Sequence, residues 1–408
     1  MALRLTNCTL IELDPPSARV GEVLIEGDRI VESTRQEVVV LDLGGAWVMP
    51  GLVVAHHHLY SALACGMPGP ATAPTGFSDM LDKVWWRMDK ALDEESVHAC
   101  GLVGGLGCLR AGVTTVIDHH SAPNCPDLAP LDEALSTIGI RRVLAMEVSD
   151  RDGKQKELLA CHRWALDRRN AWRGVLIGAH ANFTLSDETL RAIGGLAREA
   201  RVGVHIHVGE SEEDVLPDGE PLIRRMQRLD ALPANSVLAH GVHLPLEALG
   251  QVEGARAWLT HQPRSNMNNG VGHADIAHFP TTSALGTDGI GADLFAEAQT
   301  GFFRANEAGA DVSPRRWAQM MAGGARIAGR SLGVMLGRLQ NGYAADLVVL
   351  DPPPGPRLND DNVAAALLFR LSAAAVRRVM VAGEWRAPDP QPIDELAQVA
   401  AERLWQAM

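Results

Sequence analysis

Histidine and carboxylate positions carry the chemistry of this 408-residue chain. Residues 50–60 read Pro-Gly-Leu-Val-Val-Ala-His-His-His-Leu-Tyr, an apolar run that ends in His56, His57 and His58. Alternating directions along a strand put His56 and His58 on one face and His57 on the other. Two imidazoles at i and i+2 on one face can bind a single borderline metal such as zinc. A strand that merely ends in histidines is the structural alternative, and it suits His57. The missing partners come later in the chain. Val-His-Ile-His-Val-Gly-Glu at 204–210 puts His207 at a strand end and Glu210 three residues beyond it. Leu238-Ala239-His240 adds an imidazole, and Leu285-Gly286-Thr287-Asp288-Gly289 adds a carboxylate. Three histidines and one aspartate can hold zinc and leave a position for water. A carboxylate just past a ligand histidine can carry protons to and from that water. His205 lies deeper on the same face as His207, where a core role and a supporting role are equally open.

Such residues act together only if the fold collects them. Strands are expected at Leu52–His56, Thr114–His119, Arg142–Val148, Val175–His180, Val202–His207, Ser236–His240, Arg256–His261 and Ser283–Asp288. Helical stretches such as Glu94–Arg110, Asp187–Ala200 and Pro221–Leu229 lie between them. Eight strand–helix units in this length are what a TIM (β/α)8 barrel requires, and in a barrel all strand ends face one mouth. Seven of these strands end in a histidine or aspartate: His56/His58, His119/His120, His180, His207, His240, His261 and Asp288. A doubly wound α/β sheet is the alternative, but no glycine-rich phosphate turn follows the first strand. Both chain ends read as short strands. The expected organisation is a composite β-sandwich from 1–48 and 336–390, a barrel over 49–335, and a helix over 391–408. In that last helix Leu396, Val399, Leu404 and Trp405 are the candidate apolar contacts.

The first barrel strand leads into a long excursion, 59–93, whose centre at 67–76 is rich in proline and glycine. A long loop at a barrel mouth reads as a lid over the site. Trp85 and Trp86 lie in it. An aromatic pair at a helix start is more often core, although either ring could cover a planar substrate. Of His119 and His120, one should point into the mouth, and His120 is the choice.

Composition narrows the class. With 37 basic against 50 acidic residues the net charge is −13, which argues against nucleic acid or an acidic membrane surface as partner. The six cysteines are scattered without a CxxC, which suits reduced thiols and a cytoplasmic location. No signal-peptide pattern or bilayer-length apolar stretch is expected. A homodimer is allowed.

Five motifs together carry a resemblance: PGLxxxHxH, HxxE, the Ala-His-Gly at 239–241, HxPxSN at 261–266, and Gly-Thr-Asp-Gly at 286–289. They resemble the amidohydrolase superfamily, in particular its branch of cytosolic aminohydrolases and chlorohydrolases that includes guanine deaminase. The likeness runs nearly end to end. It implies that His56, His58, His207 and Asp288 hold one divalent metal, most often zinc. It implies Glu210 as general acid/base, His240 beside the metal-bound water, and Asp288 as both ligand and proton acceptor. His180 matches a position that often contacts substrate, and His120 joins it as a candidate contact. Some relatives bridge two metals with a carboxylated lysine. Here the fourth strand ends in His180 and no lysine follows Lys156, so one metal is expected. His57, Asn182, Gln262 and Cys65 depart from the residues frequent in relatives. The expected activity is hydrolytic deamination of an aminated purine-, pyrimidine- or triazine-like ring by metal-bound hydroxide, with Glu210 shuttling protons. Cyclic amide or ureide hydrolysis and dechlorination are alternatives on the same scaffold. A metal-binding protein without turnover is the alternative from another class.

Overall fold

The computed structural model describes residues 1–408. The chain opens with β1 (Ala2–Leu13), β2 (Pro16–Glu26), β3 (Arg29–Val31) and β4 (Val38–Pro50). Then come β5 (Leu52–His57), β6 (Val113–His120), β7 (Arg141–Met146) and β8 (Arg173–Val175). They are followed by β9 (Ile177–Ala181), β10 (Val204–Val208), β11 (Val237–His240), β12 (Trp258–His261) and β13 (Ser283–Leu285). The last three are β14 (Leu347–Leu350), β15 (Val376–Val381) and β16 (Glu384–Arg386).

Strands β5 to β8 pair in parallel, and so do β9 to β13. β8 and β9 are two halves of the expected fourth strand, interrupted at Leu176. There the Leu176 N–H donates to Leu144 O at 3.1 Å, and the Ile177 N–H donates to Gly203 O at 3.0 Å. One strand thus hands its pairing from the neighbour on one side to the neighbour on the other. A parallel bridge between His57 and Asp288 closes the ring. The result is a TIM barrel. Its strands are buried on both faces, which explains their continuous apolar runs. Helices Glu94–Arg110 and Asp187–Ala200 pack outside it. Asp93 and Ser186 cap them by accepting from the Ser96 and Thr189 N–H groups.

The two chain ends share one seven-stranded sheet in the order β16-β15-β14-β4-β1-β2-β3. Period-two alternation divides its side chains. Leu347 and Val349 join Leu5, Val23, Ile25 and Met380 in a core of the sheet's own. Val348 and Leu350 point the other way and join the barrel's core. The sheet therefore folds over one apolar layer and presses the other against the barrel.

The last helix runs Pro390–Ala407, and its buried residues are Ile393, Ala400, Ala401 and Leu404. Leu396 and Val399 were expected as contacts but are exposed, because the helix is rotated to turn its small alanines inward. Trp405 is held by its Nε1–H, which donates to Leu63 O at 3.0 Å. No helix is long and apolar enough to cross a membrane.

A candidate metal centre and its cavity

His56 and His58 leave β5 on one face, His207 lies on β10, and Asp288 follows β13 by three residues. Two strand-end residues, His240 and Asp288, sit in the left-handed region, with φ of 78° and 54°. Non-glycine residues rarely adopt it, and such outliers cluster at functional sites. Gly286 keeps the last strand close: a Cβ there would lie 2.8 Å from the His56 carbonyl oxygen and from Gln262 Nε2.

The imidazole and carboxylate atoms converge on one point. His58 Nε2 is 3.1 Å from His207 Nε2 and 2.9 Å from Asp288 Oδ1. His56 Nε2 is 3.2 Å from the same Asp288 oxygen. The opposite ring nitrogens identify the tautomers. His58 Nδ1 faces His119 O at 2.5 Å, and His207 Nδ1 faces His180 O at 2.9 Å. A carbonyl only accepts, so both Nδ1 atoms carry the proton and both Nε2 atoms present lone pairs. Two lone pairs and a carboxylate oxygen therefore crowd together. Burial alone would lower the His58 pKa, yet the Asp288 contact outweighs it and raises it to about 9. The centre calls for positive charge. One proton on His58 would answer one of these contacts. A metal ion answers all of them, and ligands at 2.0–2.1 Å in a tetrahedron lie roughly 3.3 Å apart. The donor set fits a divalent metal.

Two overlapping clusters have this geometry, His56–His58–His119–His207 and His56–His207–His240–Asp288. They share His56 and His207 and describe one centre. His205 touches it from below: its Nε2 is 2.8 Å from His56 Nδ1, and its ring stacks on His119 with centroids 4.3 Å apart. His57 points away and pairs with the Thr287 hydroxyl at 2.8 Å.

Glu210 and His240 stand beside the centre. His240 Nδ1 pairs with Asn266 Oδ1 at 2.8 Å, leaving Nε2 without a hydrogen bond and 3.5 Å from Glu210 Oε2. Burial pushes the Glu210 carboxyl up to about 7, against the pull of His240. Asp288 is held well below the usual carboxylate range, because contacts with His56 and His58 outweigh its burial. Its Oδ2 also accepts from the Ser265 hydroxyl.

A cavity of about 600 Å³ opens in front of these groups. It is lined by His180, Trp85 and Trp86 together with His58, Glu210 and Asp288. The excursion after β5 covers it. Glu213, three residues past Glu210, accepts from the Phe77 and Ser78 N–H groups at 3.2 Å each and fastens that cover.

Some expected positions differ. His120 is fully buried under the wall of the cavity and does not line it, whereas His119 faces the centre. The two alternate on β6, and the register of that strand turns the earlier residue inward. His261 packs between Phe279 and Trp317 and stays off the rim. Both tryptophans line the cavity, although the sequence weighed them toward the core. Asp89, Glu147 and Asp214 also line it and were not singled out. Glu147 sits one residue past the end of β7, so the strand-end signal that marked the histidines was available for it too.

The chain resembles known proteins in sequence and in fold. Residues 47–386 match the sequence model of the amidohydrolase family. The chain is 26% identical to 5'-deoxyadenosine deaminase of Methanosarcina mazei, over 98% of this chain and 97% of that one. It is 23% identical to 5-methylthioadenosine/S-adenosylhomocysteine deaminase of Carboxydothermus hydrogenoformans, over 94% and 92%. The fold is similar to that of a zinc-bound adenosine deaminase from Xanthomonas campestris, with a TM-score of 0.86 at 19% identity over 99% and 98% of the two chains. It is also similar to the fold of the zinc complex of atrazine chlorohydrolase TrzN from Arthrobacter aurescens, with a TM-score of 0.80 at 18% identity over 98% and 100%.

Proposed function

Because this chain belongs to the amidohydrolase family, we propose that it is an aminohydrolase that deaminates an aminated heterocycle of purine, pyrimidine or triazine type. The observation that carries the reading is the set of opposed lone pairs on His58 and His207, with Asp288 against them and Glu210 alongside. His56, His58, His207 and Asp288 would hold the ion, which we assign as a single zinc. A bound zinc supplies a water acidified toward neutrality and a Lewis acid at the reacting carbon.

The residues of the chain do the remainder. Asp288, kept ionised, takes up the proton released by the attacking water. Glu210, poised near neutrality, receives a proton at one stage and gives it at another. Both protons of the attacking water pass through Glu210 in turn, the second by way of Asp288. Glu210 gives one to the ring nitrogen next to the reacting carbon and one to the departing amino group. Ammonia therefore leaves, amide ion does not, and both carboxylates return to their starting states. His240 Nε2 faces the bond under attack and polarises it. His180 and the two tryptophans hold the ring in the cavity. A binding protein without turnover would have no use for Glu210 at this place. The six free cysteines suit a reducing compartment such as the cytoplasm.

The relatives named above act on adenosine derivatives, which puts the 6-aminopurine ring first in a screen. The test is ammonia release from aminopurines, aminopyrimidines and aminotriazines by metal-replete enzyme. Ammonia from at least one class is expected. Opening of cyclic ureides or lactams to carboxylates, with no ammonia from any amine, would replace the deaminase reading by ring hydrolysis.

A further inference from the structure

No lysine or arginine side chain lines the cavity, yet five carboxylates do: Asp89, Glu147, Glu210, Asp214 and Asp288. Glu210 and Asp288 belong to the reaction. Asp89 already has partners. Arg151 Nη2 lies 3.2 Å from its Oδ2, the Ser121 hydroxyl donates to the same oxygen at 2.9 Å, and the guanidinium sits 4.5 Å over the Trp86 ring. Asp214 Oδ2 accepts from the Gly209 N–H at 2.6 Å. A divalent ion and Arg151 together bring three positive charges against the five carboxylates.

Asp89 Oδ1 and Asp214 Oδ1 also lack a partner, but each of those carboxylates bonds through its other oxygen, whereas no hydrogen bond reaches Glu147 at either oxygen. The residue is 5% exposed, and its Oε1 has no hydrogen-bond partner. The nearest ring nitrogens, His58 Nδ1 and His119 Nδ1, are each 3.6 Å away, too far to bond. His58 Nδ1 is in any case committed to His119 O. Arg151 acts on Glu147 only at a distance, its guanidinium being engaged with Asp89 and stacked over Trp86. A buried carboxylate oxygen without a donor is costly and rare, and the fold here supplies none. The same side chain forms part of the wall of a cavity large enough for a bicyclic ring with a substituent. Oε1 itself is sealed off, but Oε2 has no hydrogen bond either, and a donor for this carboxylate can come through Oε2 from a molecule in that cavity.

We infer, resting on the deaminase reading, that the substrate presents a second N–H donor edge to Glu147, of the amidine, guanidine or ring-diamine kind, and carries no phosphate or carboxylate. Glu147 then selects among heterocycles that share the same reacting amino group. A ligand lacking the matching donor leaves the carboxylate unpaired, which a buried polar site penalises far more than a missing methylene. An anionic substituent would face five carboxylates on these walls and no lysine or arginine.

The experiment is calorimetric titration of the metal-replete enzyme with matched pairs. One pair is adenine and 2,6-diaminopurine; the other is 5'-deoxyadenosine and adenosine 5'-monophosphate. Ammonia release is followed separately on the same compounds. The diamino ring should bind at least about tenfold tighter than the monoamino ring, and the phosphate ester at least about tenfold weaker than its neutral partner. Glu147→Gln, with metal content checked, should erase the first preference and leave adenine binding within about threefold. Equal binding of the two purines, tighter binding of the phosphate ester, binding by no compound, or a preference unchanged in Glu147→Gln would each overturn the inference. The expected preference without ammonia from any compound would uphold it while removing the deaminase reading.

Discussion

Arg141 and Asp346 form a buried two-pronged ion pair where the barrel meets the terminal sheet. Arg141 Nε and Nη2 donate to Asp346 Oδ2 and Oδ1 at 2.8 and 3.0 Å. Arg141 opens β7, and Asp346 immediately precedes β14. Asp346 Oδ1 also accepts from the Ala382 N–H at 2.8 Å, so one carboxylate ties three segments distant in sequence.

Removing one partner of such a pair strands a buried charge. Asp346→Ala should therefore lower the unfolding free energy by about 3–5 kcal/mol. Denaturant unfolding followed by circular dichroism measures it. An unchanged midpoint would mean that the two parts are held by their apolar layer alone.

Metal content follows from the crowding at the centre. Elemental analysis should find one divalent ion per chain, and a strong chelator should remove it together with activity. His207→Ala should reduce the stoichiometry well below one and leave the far-ultraviolet spectrum intact. Two ions per chain would contradict the single centre that the shared residues His56 and His207 define.

Glu210→Gln keeps the size of the side chain and removes its proton. On a confirmed substrate kcat should fall by about 10²–10⁴-fold with the metal retained. A wild-type rate would end the proton-transfer role.

Asp118 gives the stability a pH dependence. It is fully buried, one oxygen accepts from the Leu59 N–H at 2.7 Å, and the other has no partner. Burial raises its pKa from the ordinary 3.8 to about 7. Between these values the folded chain holds a proton that the unfolded chain has lost, so stability falls as pH rises through that window. Asp118→Asn should flatten this slope, a difference on the order of a few kcal/mol between pH 4 and pH 7. Paired unfolding curves of the two proteins across that range check it, and parallel curves would assign the slope to other groups.

The lid offers a gentler test. Glu213→Ala removes the acceptor for the Phe77 and Ser78 N–H groups. KM should rise several-fold with little change in kcat, and trypsin should cut faster at Lys83 and Arg87. Unchanged proteolysis would show that packing alone keeps the excursion in place.

Much of the centre was legible before any coordinates. His56, His58, His207, His240 and Asp288 were readable as strand ends, because parallel strands in a barrel send all those ends to one mouth. The alternation rule separated His57 from its neighbours, and the structure turns it toward Thr287. The missing bridging lysine was a matter of counting. Nothing local to Asp346 in the sequence announces Arg141 as its partner.

What the sequence alone determined is therefore what repeats at short range: the eight strand–helix units, the apolar runs, and the chemical groups that close them. Tertiary structure decided whatever depends on long-range register and on how an irregular segment settles. The register of β6 turned His119 inward and left His120 under the wall. The rotation of the last helix exposed Leu396 and Val399. The path of residues 59–93 over the mouth made Trp85, Trp86 and Asp89 into walls beside Glu147. A strand end points where its sheet points, which periodicity can foretell. A loop points where the rest of the molecule leaves room, and no spacing within the loop records that.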